Sequence, residues 1–166
     1  TILVKVSHVA ARLDFSQFDV TLKGFEGNPT VVFDEAKFVN LQQNGKIVEG
    51  DASVNVKDGA FLNRSNRIGT RWTDLGTAYG YANQYRQDSE MNTALYVKFT
   101  VDGRTFEKTY PINPAGITKE VDHNGIKGGY LYDIKVRWTI TPDWGDSTIE
   151  FYTRDWVHNS IPEIVL

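Results

Sequence analysis

Apolar and polar residues alternate along much of this chain with a period of two. In the clearest run, apolar residues occupy every second position, at Tyr132, Ile134, Val136, Trp138 and Ile140. Successive side chains of a β-strand point to opposite faces, so this pattern predicts strands with one buried and one solvated face. The longer period of an amphipathic helix is scarce, and only residues 34–38 and 82–91 are compatible with short helices.

One hairpin is predicted with particular clarity. Alternating apolar residues at 95–101 end at Asp102-Gly103, a strong type I′ turn sequence, and a second alternating run follows at 106–112. Shorter runs with the same alternation lie at 2–6, 18–23, 54–56 and 149–151. About seven to nine strands at this spacing predict an all-β fold, an antiparallel β-sandwich of Greek-key or transthyretin-like form with few or no helices.

The composition is that of one globular domain. Apolar residues make up 40% of the 166 positions and charged residues 23%, which is ordinary for a protein with a packed core. No repeat or linker divides the chain, so we expect residues 1–156 to form a single β-sandwich domain and residues 157–166 to form a C-terminal tail. The absence of cysteine excludes disulfides and thiol chemistry.

The charge distribution argues against nucleic acid as a partner. The net charge is −3, and basic and acidic residues are interleaved along the chain. A protein that follows a phosphate backbone needs a basic block, and none is present. No apolar run approaches the length of a membrane span.

Sequence patterns that carry catalysis or metal binding are missing. His8, His123 and His158 are far apart, and the HExxH, GxSxG, GxGxxG and P-loop patterns do not occur. Asp143 and Asp146 lie close together, but in a segment of turn-forming residues. We therefore expect no enzymatic activity, no metal site and no cofactor.

Four aromatic residues, Trp72, Tyr79, Tyr81 and Tyr85, lie in one irregular segment among polar and basic neighbours. Two interpretations remain open. The rings form a platform that stacks on sugars or anchors a partner protein, or they pack onto the sandwich. Under the first interpretation the chain is a carbohydrate-binding β-sandwich module of a secreted or surface protein.

Three stretches, taken in order, carry a family resemblance. They are VSHVAARLDF at 6–15, the segment from Val32-Phe33 to KFVNL at 37–41, and YLYDIKV at 130–136 followed by a final strand that ends near Asp155-Trp156. Together they resemble the C-terminal β-sandwich domain of the fimbrillins, the type V pilins of anaerobic Gram-negative bacteria. Family members carry a further sandwich domain ahead of the Ala-Arg strand, and this sequence begins close to that strand.

The resemblance implies a structural or adhesive subunit of a bacterial surface fimbria. Fimbrillins are exported as lipoproteins, trimmed by a protease and polymerised at the outer membrane. The implied partners are other fimbrial subunits, in a homo- or heteropolymer, and a host protein or glycan as receptor. A membrane is then reached only through a lipid anchor that is removed from, or absent in, this chain.

Polymerisation in this family resembles strand exchange, in which the C-terminal tail of one subunit fills a groove of the next. The apolar residues of the candidate donor strand in the tail are Ile161, Ile164, Val165 and Leu166. Such a segment suits β-augmentation, in which backbone hydrogen bonds provide affinity and alternate side chains fill pockets. The candidate strand on the groove side contains Ile2, Val4 and Val6. The alternative is a tail that pairs within its own domain or frays.

Overall fold

Twelve β-strands and no helix make up the part of the chain that the structure, a computed structural model, describes. The described residues are 10–45, 55–59, 67–84, 90–114, 123–142 and 148–152, with the backbone alone described at 67–68 and 148–152. In chain order the strands are β1 (Ala10–Leu22), β2 (Val31–Val39), β3 (Leu41–Gln42), β4 (Val56–Lys57), β5 (Arg67–Ile68), β6 (Arg71–Tyr81), β7 (Asn83–Gln84), β8 (Ala94–Val101), β9 (Arg104–Pro111), β10 (Gly125–Ile126), β11 (Leu131–Ile140) and β12 (Thr148–Tyr152). The predicted all-β fold is confirmed.

Two large sheets pack face to face. The six-stranded sheet has the order β12-β11-β1-β6-β3-β4, the four-stranded sheet has the order β5-β2-β8-β9, and β7 pairs separately with β10. Neighbouring strands are antiparallel, except that β1 runs parallel to β11, from Arg12 opposite Leu131 to Leu22 opposite Ile140. The antiparallel sandwich expected from the sequence therefore contains a parallel pair at the centre of its larger sheet.

Aromatic rings join the two sheets. Phe18 of β1 has no exposed surface, and its ring centre lies 5.6 Å from Trp72 of β6 in the same sheet. From the facing sheet, Phe33 lies at 5.5 Å and Phe99 at 5.4 Å from Phe18. Edge-to-face contacts of this kind contribute beyond the apolar area that they bury. The core is therefore centred on Phe18.

The prediction of a short helix at 34–38 is wrong, because these residues belong to β2. The pairing of β2 with β8 shifts register between Phe33 and Glu35, which marks a β-bulge. The extra residue brings Phe33 and Ala36, three positions apart, to the same buried side. A bulged strand thus imitates the spacing of a helix. Of the second candidate helix, 82–91, residues 83–84 form β7, and 85–89 lie outside the described residues.

The hairpin predicted around Asp102-Gly103 is confirmed. β8 pairs with β9 along eight residue pairs, from Ala94 opposite Pro111 to Val101 opposite Arg104. The turn residues have φ values of 45° and 79°, both positive, as a type I′ turn requires. Positive φ is accessible to glycine without steric cost, so Gly103 stabilises this connection by its missing side chain.

Replacing Gly103 by alanine is expected to lower the free energy of unfolding by about 1–2 kcal/mol, the cost of a left-handed conformation for an L-residue. No atom lies within 4 Å of the added methyl group, so backbone strain is the whole effect. The measurement is a urea unfolding curve. Gly69→Ala is the matched control, since its methyl group would meet Trp72 at an ordinary 3.8 Å. An equal loss in both variants would contradict the strain argument.

Candidate functional site

The outer face of the six-stranded sheet, meaning the side turned away from the core, carries the polar residues that alternate with the buried ones. At one end, Tyr79 is 63% exposed and lies opposite Arg12 in the β1–β6 register. Asp14 Oδ1 accepts hydrogen bonds from Arg12 Nε at 2.9 Å and from the Thr77 hydroxyl at 2.7 Å. The hydrogen bond that Arg12 donates to Asp14, together with the negative charge of Asp14, raises the pKa of the Arg12 guanidinium. An exposed ring with polar neighbours is suited to contact a sugar or a partner surface.

At the other end of the outer face, a row of charges crosses three strands. Asp19 of β1 lies opposite Arg71 of β6 and Arg137 of β11. Arg71 Nε donates to Asp19 Oδ1 at 2.8 Å, and Gln17 Nε2 donates to Oδ2 at 2.6 Å. Although Asp19 is only 7% exposed, its carboxylate therefore has the donors that a buried charge requires. This row is not visible in the sequence, because its members become neighbours only through strand pairing.

The four aromatic residues singled out in the sequence do not come together as one platform. Trp72 is 2% exposed and packs against Phe18 and Phe33 in the core. This position corrects the expectation that Trp72 faces a ligand. From Thr77 to Tyr81 the side chains of β6 alternate between faces, and Tyr79 and Tyr81, two positions apart, lie on the outer face. Tyr81 is half-buried, and Tyr85 lies outside the described residues.

Among the described strands, β9 (Arg104–Pro111) is the last of the four-stranded sheet, and its outer side is called the β9 edge. Two cations lie over rings of the same strand: the Arg104 guanidinium is 5.7 Å from Phe106, and Lys108 Nζ is 5.6 Å from Tyr110. Burial raises the pKa of the Tyr110 hydroxyl above its ordinary value. Charges on the inner side of an edge strand restrict which chains can pair with it. These charges therefore make β9 selective toward a chain that pairs with it.

Trp138 of β11 faces the β9 edge. Its ring centre is 6.0 Å from Phe106 and 6.4 Å from Tyr110. Its indole N–H is buried and finds no hydrogen-bond acceptor in the part of the chain that the structure describes. β12 lies beyond β11 in the six-stranded sheet. The β9 edge thus lies next to a buried hydrogen-bond donor.

Several predicted residues lie outside the described residues. These are the candidate donor strand (Ile161, Ile164, Val165, Leu166), the candidate groove-side strand (Ile2, Val4, Val6), and also His8, His158, Asp143 and Asp146. His123 is described, and its Nε2 lies 2.7 Å from the hydroxyl of the buried Tyr132. Among the described side chains, no three of His, Cys, Asp and Glu converge in a way that holds a metal ion.

The described part of the chain contains no helix long and apolar enough to cross a membrane. No protein-family model matches the sequence, and a comparison with curated proteins finds no match.

Solved structures with a similar fold do exist. The chain matches the crystal structure of a candidate cell adhesion protein from Parabacteroides distasonis with a TM-score of 0.67 and 20% identity, over 93% of this chain and 54% of that chain. A fimbrial protein from Bacteroides vulgatus matches with a TM-score of 0.43 and 13% identity, over 91% of this chain and 55% of that chain. A candidate cell adhesion protein from Bacteroides uniformis matches with a TM-score of 0.39 and 17% identity, over 91% and 52%.

This chain therefore spans about half the length of the solved structures that it resembles. At 20% identity, the likeness to the Parabacteroides protein establishes a shared fold.

Proposed function

We propose that this chain is a structural or adhesive subunit of a bacterial surface fimbria, and that it works by binding and assembly and not by catalysis. The observation that carries the proposal is the fold, which matches that of the Parabacteroides candidate adhesion protein over 93% of this chain. The fimbrillin-like stretches at 6–15, 32–41 and 130–136 support the same class. The proposed location is the cell surface, at the outer membrane, among other fimbrial subunits.

The proposed mode of assembly is strand addition at the β9 edge, with residues 157–166 of a neighbouring subunit as the donor. A strand added beside β9 would continue the four-stranded sheet, which is shorter than its partner sheet by two strands among those described. It would also approach the buried indole N–H of Trp138, for which a backbone carbonyl is a suitable acceptor. The strand with Ile2, Val4 and Val6 remains the candidate on the groove side.

The energetics of docking depend on how many apolar side chains are buried. Ile164 and Leu166, or Ile161 and Val165 on the opposite face, contribute roughly 1.5–3 kcal/mol per side chain when fully buried. Each backbone hydrogen bond adds about 1 kcal/mol, while ordering the tail costs about 1–2 kcal/mol per residue. Pro162 donates no backbone hydrogen bond, so it fits the start of the docked strand. Docking is therefore favourable only when several pockets are filled.

The test is to delete residues 157–166 and to add them back as a synthetic peptide. A ligand that binds the folded state and not the unfolded state must raise the melting temperature as its concentration increases. We expect a rise of several degrees at saturating peptide. The matched control is the same peptide with Ile164→Asp and Leu166→Asp, which should give no rise because charged side chains do not enter apolar pockets.

Two results would contradict strand addition. One is an unchanged melting temperature with the peptide, in a protein whose stability is unaffected by the deletion. The other is an equal rise with the Asp-substituted peptide. Either result would leave the tail as a frayed end and would favour the carbohydrate-binding module.

A further inference from the structure

Two asparagines of this chain are followed directly by glycine, in the pairs Asn44-Gly45 and Asn124-Gly125. In such a pair the backbone nitrogen of the glycine can attack the side-chain amide carbon of the asparagine. Glycine favours this reaction because it has no side chain to block the approach and adopts many backbone conformations. The glycine N–H must lose its proton and turn toward the asparagine side chain. Both pairs share this local chemistry, so the fold decides which of them reacts.

The fold holds Gly125 in place. Its N–H donates to the backbone carbonyl of Asn113 at 2.7 Å, and its own carbonyl accepts from Asn113 Nδ2 at 2.9 Å. Gly125 is buried and belongs to β10, which pairs with β7. A buried N–H that loses its acceptor costs free energy comparable to a lost hydrogen bond. Attack on Asn124 therefore requires a local opening of the structure first.

Gly45 lies in a different setting, just after the pairing of β3 with β4. The Gln43 N–H donates to the Asn55 carbonyl at 2.8 Å, directly beyond that pairing. Two residues later Gly45 is exposed, and its N–H makes no hydrogen bond to any residue that the structure describes. Asn44 is half-buried beside it. Solvent therefore reaches the Gly45 N–H, and no hydrogen bond of this group has to break before its nitrogen attacks.

From this contrast we infer that Asn44 is a site of spontaneous deamidation, while Asn124 is protected by the fold. The Gly45 nitrogen gives its proton to solvent and bonds to Asn44 Cγ, the Cγ–Nδ2 bond breaks, and ammonia leaves with a proton from water. Water then opens the resulting cyclic imide at either of its two carbonyl carbons. The products are aspartate and isoaspartate, and either one adds a negative charge to the chain's net charge of −3.

The modification acts at the pairing of β3 with β4. Isoaspartate places one additional carbon in the backbone, directly after the residue that donates to Asn55. The Asn55 N–H in turn donates to Gln42 Oε1 at 2.8 Å, so both bonds of Asn55 lie within two residues of the altered position. β4 is the last described strand of the six-stranded sheet on this side. The inference does not depend on the proposed fimbrial function.

The test follows both pairs in the same sample of the full chain. The protein is incubated at mildly alkaline pH, where the peptide N–H loses its proton more readily, and is then digested for mass spectrometry of the two asparagine-containing peptides. We expect conversion at Asn44 to be at least about tenfold faster than at Asn124, since only the second requires a buried hydrogen bond to break. Equal rates, or a faster reaction at Asn124, would overturn the inference.

Two controls separate the fold from the local sequence. In guanidinium chloride, at a concentration that unfolds the chain, the two rates should approach each other because both glycine nitrogens are then exposed. Gly45→Ala should slow the reaction at Asn44, since a side chain hinders the attack, and should leave the rate at Asn124 unchanged. A rate ratio as large in the unfolded chain as in the folded one would assign the difference to the neighbouring residues and refute protection by the fold. Undiminished conversion at Asn44 in Gly45→Ala would contradict attack by the Gly45 nitrogen.

Discussion

Replacing Phe18 by alanine is expected to lower the free energy of unfolding by about 3–5 kcal/mol, the range for a fully buried phenylalanine. The ring has no exposed surface and lies within 5.6 Å of three other aromatic rings, at Phe33, Trp72 and Phe99. These neighbours come from both sheets, so the cavity would open where the sheets are joined. Surrounding strands are tied into two hydrogen-bonded sheets and cannot collapse freely into the space.

The Phe18 prediction is checked by urea unfolding. Phe106→Ala is the matched control, since Phe106 is only partly buried at the β9 edge and should cost clearly less. Domains commonly have about 5–15 kcal/mol of stability, so the alanine variant can approach the limit of folding. Phe18→Leu keeps more of the volume and provides a milder variant, for which we expect a smaller loss. A loss below that of Phe106→Ala would contradict the central position of Phe18.

Replacing Asn113 by alanine is expected to cost about 2–4 kcal/mol, because two carbonyl groups would lose their donor. Asn113 is 1% exposed, and its Nδ2 donates to the carbonyl oxygens of His123 and Gly125, both at 2.9 Å. The backbone carbonyl oxygen of Asn113 accepts a hydrogen bond from the Gly125 N–H at 2.7 Å. The side chain thus connects the end of β9 to β10. Its φ of 52° adds to the loss, since alanine tolerates this conformation less well than asparagine.

Two further variants separate the contributions at Asn113. Asn113→Gly removes the side-chain hydrogen bonds but accepts the positive φ, so its loss should be smaller than that of the alanine variant. Asn124→Ala changes an exposed asparagine nearby and should cost clearly less than Asn113→Ala. Melting temperatures report the differences at roughly 2–4 °C per kcal/mol for a domain of this size. Equal melting temperatures for the parent and Asn113→Ala would show that the two carbonyls find other donors.

The local alternation of apolar and polar residues was sufficient to predict where β11 and the β8–β9 hairpin lie. The alternation from Tyr132 to Ile140 predicts a half-buried strand, and β11 has this burial pattern. Asp102-Gly103 predicts its own turn, because both residues accept the positive φ that a type I′ turn imposes. The alternation did not predict the strand correctly at the β2 bulge. One extra residue there shifts the alternation, so that the buried residues Phe33 and Ala36 are three positions apart, as on one face of a helix. The phase change depends on the partner strand and leaves no local mark.

The candidate site was less predictable than the fold. The sequence did point to Tyr79, an aromatic residue among polar neighbours, which lies exposed at one end of the outer face. The same pattern also pointed to Trp72, whose side chain lies on the inner face of β6 and is buried in the core. The row of charges around Asp19 was not signalled at all. Arg71 and Arg137 are far apart in sequence, and each is an ordinary outward residue of its own strand.

The sequence by itself determined that this chain is all-β, where the β8–β9 hairpin turns, and which positions face the core in strands without a bulge, since backbone sterics and side-chain alternation act over a few residues. The tertiary structure decided that β1 lies between β6 and β11, parallel to the latter, which places Asp19 between Arg71 and Arg137. It also decided that β9 comes last in the four-stranded sheet among the described strands. Those outcomes depend on which strands pair across long separations, and pairing is set by how the two sheets together bury rings such as Phe18, Phe99 and Trp138.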